Sequence, residues 1–255
     1  MQSETKDYVS MKPVIPIFFS VGDADVPYLA VALTSMTENA SRDFSYRIHV
    51  LDRGVSEEDR QRLSRFDSED FHLEFLSTGD RRRLFIPALF PQYEKGIYLD
   101  CDLIVMGDIS VLFRERMGDK LIGAVADYSV RQIQYVDAGV LLLNMKRLRE
   151  VDTDGQLPYL SILYKDDIHY LDPDWNAMPS EGISDFDDPQ IIHFTPDSRP
   201  WLNEWVPFSD LFWHYARRSG FYARIGRSWN RCLQNPDSSF GDITARSTKT
   251  MKLCS

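Results

Sequence analysis

The sequence predicts an α/β protein built on a mostly parallel sheet of the nucleotide-binding type, and two observations carry that expectation. Short β-branched and aromatic runs alternate with longer amphipathic stretches, the rhythm of strand–helix–strand units. One of these runs, Ile97 to Val105, is apolar on both sides of Asp100-Cys101-Asp102, which reads as a buried strand opening to present two carboxylates. In an extended segment residues i and i+2 point the same way, so Asp100 and Asp102 can converge on one ligand. Paired carboxylates repel unless a cation lies between them, and a divalent cation so held can grip a diphosphate.

The elements follow in order. Val14–Ser20 is the first strand; Gly22 and Asp23 turn the chain, and Pro27 opens a helix with Leu29, Leu33 and Met36 on its apolar face. Tyr46–Leu51 is the second strand, closed by Asp52-Arg53-Gly54. Ser56, followed three residues later by Asp59, resembles a capping box and starts a charged helix, Glu57–Phe66. Phe71, Leu73 and Phe75 alternate as a third strand, Leu84–Phe90 reads as a helix, and Gly96–Leu99 is the strand that ends at the aspartates. Leu121–Ala126 and Val140–Leu143 are further strands, with Gly139 allowing a close backbone approach. Ser209–Arg218 looks like a helix ending at Gly220. The expected division is an arm over 1–13, a core domain over 14–206 and a helical or irregular extension over 207–255.

Bulk properties narrow the function. A 43% hydrophobic and 13% aromatic composition supports a real core. The net charge of -10 argues against nucleic acid as the main partner. Arg81-Arg82-Arg83 and Lys146-Arg147 with Arg149 are local basic clusters that could meet a phosphate. Cys101, Cys232 and Cys254 form neither a disulfide framework nor a zinc pattern, which favours a reducing, cytoplasmic setting. No apolar run approaches a membrane span and the start does not read as a signal peptide, although peripheral membrane association stays open. Four other Asp-x-Asp triplets, Asp23/Asp25, Asp152/Asp154, Asp172/Asp174 and Asp185/Asp187, lie in polar or Pro-rich surroundings and read as solvated loops.

Six stretches, in this order, resemble the family 8 retaining glycosyltransferases. They are Phe18 to Asp23 with Pro27 to Ala32, His49 to Asp52 with Gly54 and Ser56-Glu57, and Arg83 to Pro87. The aspartate strand extended to Gly107-Asp108-Ile109-Ser110, Asp137 to Met145, and His193-Phe194-Thr195 through Arg199-Pro200-Trp201 complete the set. The resemblance implies the GT-A fold for nucleotide-diphospho-sugar transferases. It implies metal-dependent transfer of a hexose, glucose or galactose, from UDP-glucose or UDP-galactose to a hydroxyl of a glycan or lipid-linked saccharide, with retained configuration. By that pattern Asp100, Asp102 and His193 hold Mn²⁺ (or Mg²⁺), the imidazole tilting the choice toward manganese. Ser20, Val21, Asp23 or Asp25, Arg83, Cys101 and Arg199 would meet the donor, with Arg199 and Asp137 in catalytic positions.

The pattern is also departed from. Arg199 replaces a lysine, Asp137 an asparagine, and Gly22 and Ala24 stand where an aspartate and an asparagine are usual near the uridine. An acidic Asp-Gln-Asp helix expected between Asp154 and Lys165 reads here only as Gly155-Gln156-Leu157-Pro158 onward, and proline suits no helix interior. Two other readings therefore stand beside the transferase: a UDP-sugar-binding relative with weak turnover, and an aspartate-nucleophile phosphatase using Asp100 and Asp102. Hydrolysis of p-nitrophenyl phosphate would mark the phosphatase; UDP binding with manganese but no sugar release would mark the weak enzyme.

Overall fold

The computed structural model describes residues 12–77, 86–127, 135–151, 165–180, 186–203 and 205–227. Its strands are β1 (Val14–Val21), β2 (Ser45–Asp52), β3 (Phe71–Ser77), β4 (Gly96–Leu99), β5 (Leu103–Val105), β6 (Ile122–Asp127), β7 (Tyr135–Leu143), β8 (Ile168–Tyr170) and β9 (Ile191–His193). Seven form one sheet in the order β3-β2-β1-β4-β7-β6-β8, and β5 pairs with β9 in a second. β1, β2, β3 and β4 pair in parallel, and β7 alone runs against both its neighbours, β4 and β6. The mostly parallel sheet expected from the sequence is present.

β1 is central, and both its faces are buried: Ile15, Ile17 and Phe19 join one apolar cluster while Phe18 joins the other. Pro16 is tolerated there because pairing with β4 begins only at Ile17↔Ile97, so its missing N–H leaves no partner waiting. Helix α1 (Val26–Asn39) carries proline in its first turn and is buried over most of its circumference. That burial has a cause. Leu29, Leu33 and Met36 pack on the large sheet, while Val31 packs with Ile104, Ile192 and Phe212 on the other side. Ser35 ties the layers together, accepting from Val105 N at 2.9 Å.

Several boundaries shift from the expected ones. Helix α2 (Glu57–Leu63) starts where expected, with Ser56 Oγ accepting from Asp59 N, but finishes as a 3₁₀ turn over Ser64–Phe66. Helix α3 is Ile86–Leu89, with Leu84 and Phe85 outside the described residues. Strand β7 is twice the expected length. Helices α4 (Ile109–Arg114) and α5 (Met145–Glu150) are short. Helix α6 (Ser209–Arg218) matches its expected span and lies against α1, with Tyr215 Oη accepting from Asn39 Nδ2 at 3.2 Å.

The strand expected over Gly96–Leu99 is found as β4, and the apolar run beyond the aspartates forms a further strand, β5. β4 stops at Leu99, and the chain leaves the large sheet through Asp100-Cys101-Asp102 to start β5 in the second sheet. The carboxylates therefore occupy the link between two sheets.

Candidate active site and metal centre

The carboxyl ends of β1, β2 and β4 point the same way and open a crevice, the usual ligand position in such sheets. Each wall is locally determined. After β2, Asp52 accepts from the N–H groups of Gly54 and Val55, both at 2.7 Å, while Gly54 takes a left-handed φ of 108°. That tight turn delivers Arg53 to the crevice. After β1, Asp25 Oδ2 accepts from Gly22 N at 3.1 Å and pairs with Arg53 Nη2 at 3.2 Å. The cavity has a volume of about 410 Å³; Ser20, Asp25, Tyr28, Arg53, the Asp100–Asp102 link, Arg199 and Trp201 line it.

Three main-chain bonds set the floor. Asp100 N donates to Gly139 O at 2.8 Å, Phe194 N to Asp102 O at 2.8 Å, and His193 N to Ala177 O at 2.8 Å. The β5–β9 register places Leu103 opposite His193, which brings the imidazole beside the aspartate link. One ligand atom each of Asp100, Asp102 and His193 lies within 4.8 Å of the others. Two carboxylate oxygens and an imidazole nitrogen fit a divalent cation, and the nitrogen fits manganese better than magnesium.

The charges around this centre form a chain. Tyr98 Oη donates to Asp100 Oδ1 at 2.6 Å. Asp102 faces Arg199 Nη2 at 3.1 Å through one oxygen and His193 Nε2 at 3.4 Å through the other. Behind the imidazole, Asp137 Oδ1 lies 3.1 Å from Nδ1. Burial alone would lower the His193 pKa; Asp102 and Asp137 override it and hold it up to about 10. Burial would likewise raise Asp137, but His193 and the amides of Asn176 and Gly139 bring it down to about 2. Asp102 is also lowered, because His193 and Arg199 outweigh its desolvation.

Gly139 earns its place sterically. A β-carbon there would sit 2.2 Å from His193 Cε1 and 2.6 Å from Nδ1, so only glycine lets the ring lie flat on β7. The close approach expected at this residue is found.

Ser20, Asp25, Asp100, Cys101, Asp102 and Arg199 thus share one cavity, with His193 beside Asp100 and Asp102. Three expected residues sit elsewhere. Val21 is buried in the core, and its carbonyl accepts from Arg53 N. Asp23 turns away to Arg224 and to Ser56 N. Asp137 stands behind His193 and does not line the cavity. Arg83, like the segment 152–164, lies outside the described residues. Sequence reading missed Arg53 and Tyr28; the available signal was the position of Arg53 directly after parallel strand β2 and of Tyr28 in the first turn of the helix that follows β1. Asn176, which donates to Asp137 at 2.9 Å, carried no signal.

Known proteins identify the family and the fold. The family model for glycosyl transferase family 8 matches residues 4–153. "Probable glycosyl transferase Gly" of Streptococcus gordonii is 27% identical over 188 residues, covering 62% of this chain and 26% of that protein. Glycosyltransferase GlyA of Streptococcus pneumoniae is 25% identical, covering 83% of this chain and 35% of its own. The chain thus spans well under half the length of these curated relatives. Among solved structures, the apo form of the bifunctional glycosyltransferase WbbM has a TM-score of 0.75 at 20% identity, over 86% of this chain and 52% of that one. Galactosyltransferase LgtC, solved with donor and acceptor sugar analogs, has a TM-score of 0.63 at 22% identity, over 80% of this chain and 96% of that one. These likenesses carry the fold, which is GT-A. With the family model spanning more than half of its residues, the chain belongs to glycosyl transferase family 8.

Proposed function

We propose that this protein transfers a hexose, glucose or galactose, from a UDP-sugar to a hydroxyl of a glycan or lipid-linked saccharide, with a divalent metal and with retained anomeric configuration. The observation that carries the reading is the convergence of Asp100, Asp102 and His193 within 4.8 Å, the two aspartates lining a crevice that also holds Arg53 and Arg199. A nucleoside diphosphate needs both poles: carboxylates for a cation and guanidiniums for the phosphate oxygens.

The three ligands would hold Mn²⁺ or Mg²⁺, and the bound ion would neutralise charge on the donor diphosphate. Arg199 is suited to the same charge from the protein side. One arm rests on Asp102, while its buried Nε has no hydrogen-bond partner among the described groups, an orphan donor that an anionic oxygen would satisfy. In the transfer, the bond from the anomeric carbon to the diphosphate breaks as the bond to the acceptor oxygen forms. The acceptor proton passes to the departing diphosphate, so no strong protein nucleophile is required. Between Asp23 and Asp25 we assign the nucleoside contact to Asp25, which lines the crevice beside Arg53, while Asp23 pairs with Arg224. Trp205, 85% exposed six residues beyond Arg199, offers an aromatic face on which an acceptor sugar ring could stack. Among the described residues no helix is long and apolar enough to cross a membrane; we assign the work to the cytoplasm, with any membrane association peripheral.

A panel of UDP-hexoses assayed for UDP release with manganese, with and without chelator, tests the reading. Chelator-sensitive release from UDP-glucose or UDP-galactose is expected. No release from any donor, together with no manganese-dependent UDP binding by calorimetry, would refute it.

A further inference from the structure

Three donors converge on one oxygen of Asp137. Gly139 N–H donates to Oδ1 at 2.8 Å, Asn176 Nδ2 donates to it at 2.9 Å, and His193 Nδ1 lies 3.1 Å away. The histidine contact is bent, an ion-pair approach more than an aligned hydrogen bond, and Nδ1 itself is buried. Asn176 is 1% exposed and His193 4%, so water does not substitute for these contacts. The ring cannot rotate freely either, because its flat side rests on the missing β-carbon of Gly139.

We infer that Asp137 is a positioning residue: it holds the Nδ1–H of His193 on the buried side and so commits Nε2 to the metal centre. The two ring nitrogens are chemically distinct, and the hydrogen bond made by one fixes which lone pair the other offers. A carboxylate anchored by two amide donors is held from turning away to solvent, and an ionised carboxylate facing Nδ1 keeps the proton there. Nε2, 3.4 Å from Asp102, is then the nitrogen presented beside the two metal-binding carboxylates. On this geometry Asp137 acts through the imidazole. The inference rests on the metal reading above.

The test is Asp137→Asn, which keeps size and one acceptor oxygen but removes the charge. Manganese binding, followed by calorimetry or by the electron paramagnetic resonance of the free ion, should weaken about 10–100-fold, the usual cost of losing such an outer partner. Magnesium, which prefers oxygen ligands, should weaken less. A merely structural role would move both metals equally and would show as a lower melting temperature at saturating metal. Asn176→Ala, which removes one anchor of Asp137, should give a smaller loss of manganese affinity.

A second measurement needs no variant. With diamagnetic zinc bound to the wild-type protein, ¹⁵N resonances of His193 should report a proton on Nδ1 and metal on Nε2. Metal on Nδ1, or manganese affinity unchanged in both variants, would overturn the inference. If the wild-type protein binds no divalent cation at this site, the metal reading itself fails and the role of Asp137 falls with it.

Discussion

Replacing Gly139 by alanine is the sharpest test of the site geometry, because the added atom has nowhere to go. Its β-carbon would meet His193 Cε1 at 2.2 Å, Nδ1 at 2.6 Å and Nε2 at 2.8 Å. Carbon atoms pack at about 3.5–4.0 Å, so the shortfall is roughly 1.3 Å or more. Glycine 139 carries no positive φ, so the cost is steric and not conformational. Either the imidazole retreats, giving up its contacts of 3.1 Å with Asp137 and 3.4 Å with Asp102, or β7 shifts and strains the bond from Asp100 N to Gly139 O. Overpacking of this kind costs about 1–3 kcal/mol. For a chain of this size that is a fall in melting temperature of roughly 2–12 °C. Binding sites tolerate displacements of only about 0.5 Å, so manganese affinity should drop as well. Differential scanning calorimetry and a manganese titration of Gly139→Ala read the two effects. An unchanged melting temperature with unchanged metal affinity would show that the ring does not lie against β7.

Other perturbations reach the same site by different routes. Asp102→Asn should abolish metal-dependent UDP binding; it should also cost stability without metal, because Arg199 and His193 lose their shared carboxylate. With that carboxylate still 21% exposed, the loss should be about 3 kcal/mol, the low end for a broken buried pair, seen as a lower urea midpoint. Unaltered UDP affinity in manganese would rule out its ligand role. Arg199→Ala should cut turnover by the equivalent of roughly 3–4 kcal/mol in the barrier while weakening UDP binding much less; equal losses in kcat/KM and in binding would mean uniform binding and not catalysis. His49 gives a pH prediction away from the metal. Burial against Phe18 and Phe90 lowers its pKa from 6.5, outweighing Glu74 at 3.3 Å. The unfolded chain then takes the proton more readily than the folded one. The contribution is present above pH 6.5 and lost as pH falls below it. Urea midpoints at pH 8 and pH 5.5 should therefore differ less in His49→Gln than in wild type, and an identical pH dependence in the two proteins would count against the assignment.

The sequence by itself determined what short-range chemistry controls. Alternating apolar runs marked most of the strands, Ser56 with Asp59 marked the start of α2, Pro27 marked that of α1, and the ordered motifs pointed to Asp100, Asp102, His193 and Arg199 before any of them could be seen together. Those signals operate within a turn or a strand, where periodicity and capping act through neighbouring residues. Tertiary structure decided the rest, because the partners are far apart in the chain. Arg199 meets Asp102 across 97 residues, and Asp23 is drawn off to Arg224 across 201 while Asp25 stays in the crevice. The sequence ended a strand at Leu99; only the pairings, β4 with β1 and β7 and β5 with β9, show that the apolar run beyond the aspartates belongs to a different sheet. The motif alone gave no sign that Asp137 pairs with His193; the positions of β7 and β9 set its carboxylate 3.1 Å behind the imidazole. A carboxylate's role depends on which donors surround it, and that is set by the order of strands in a sheet, which no local pattern encodes.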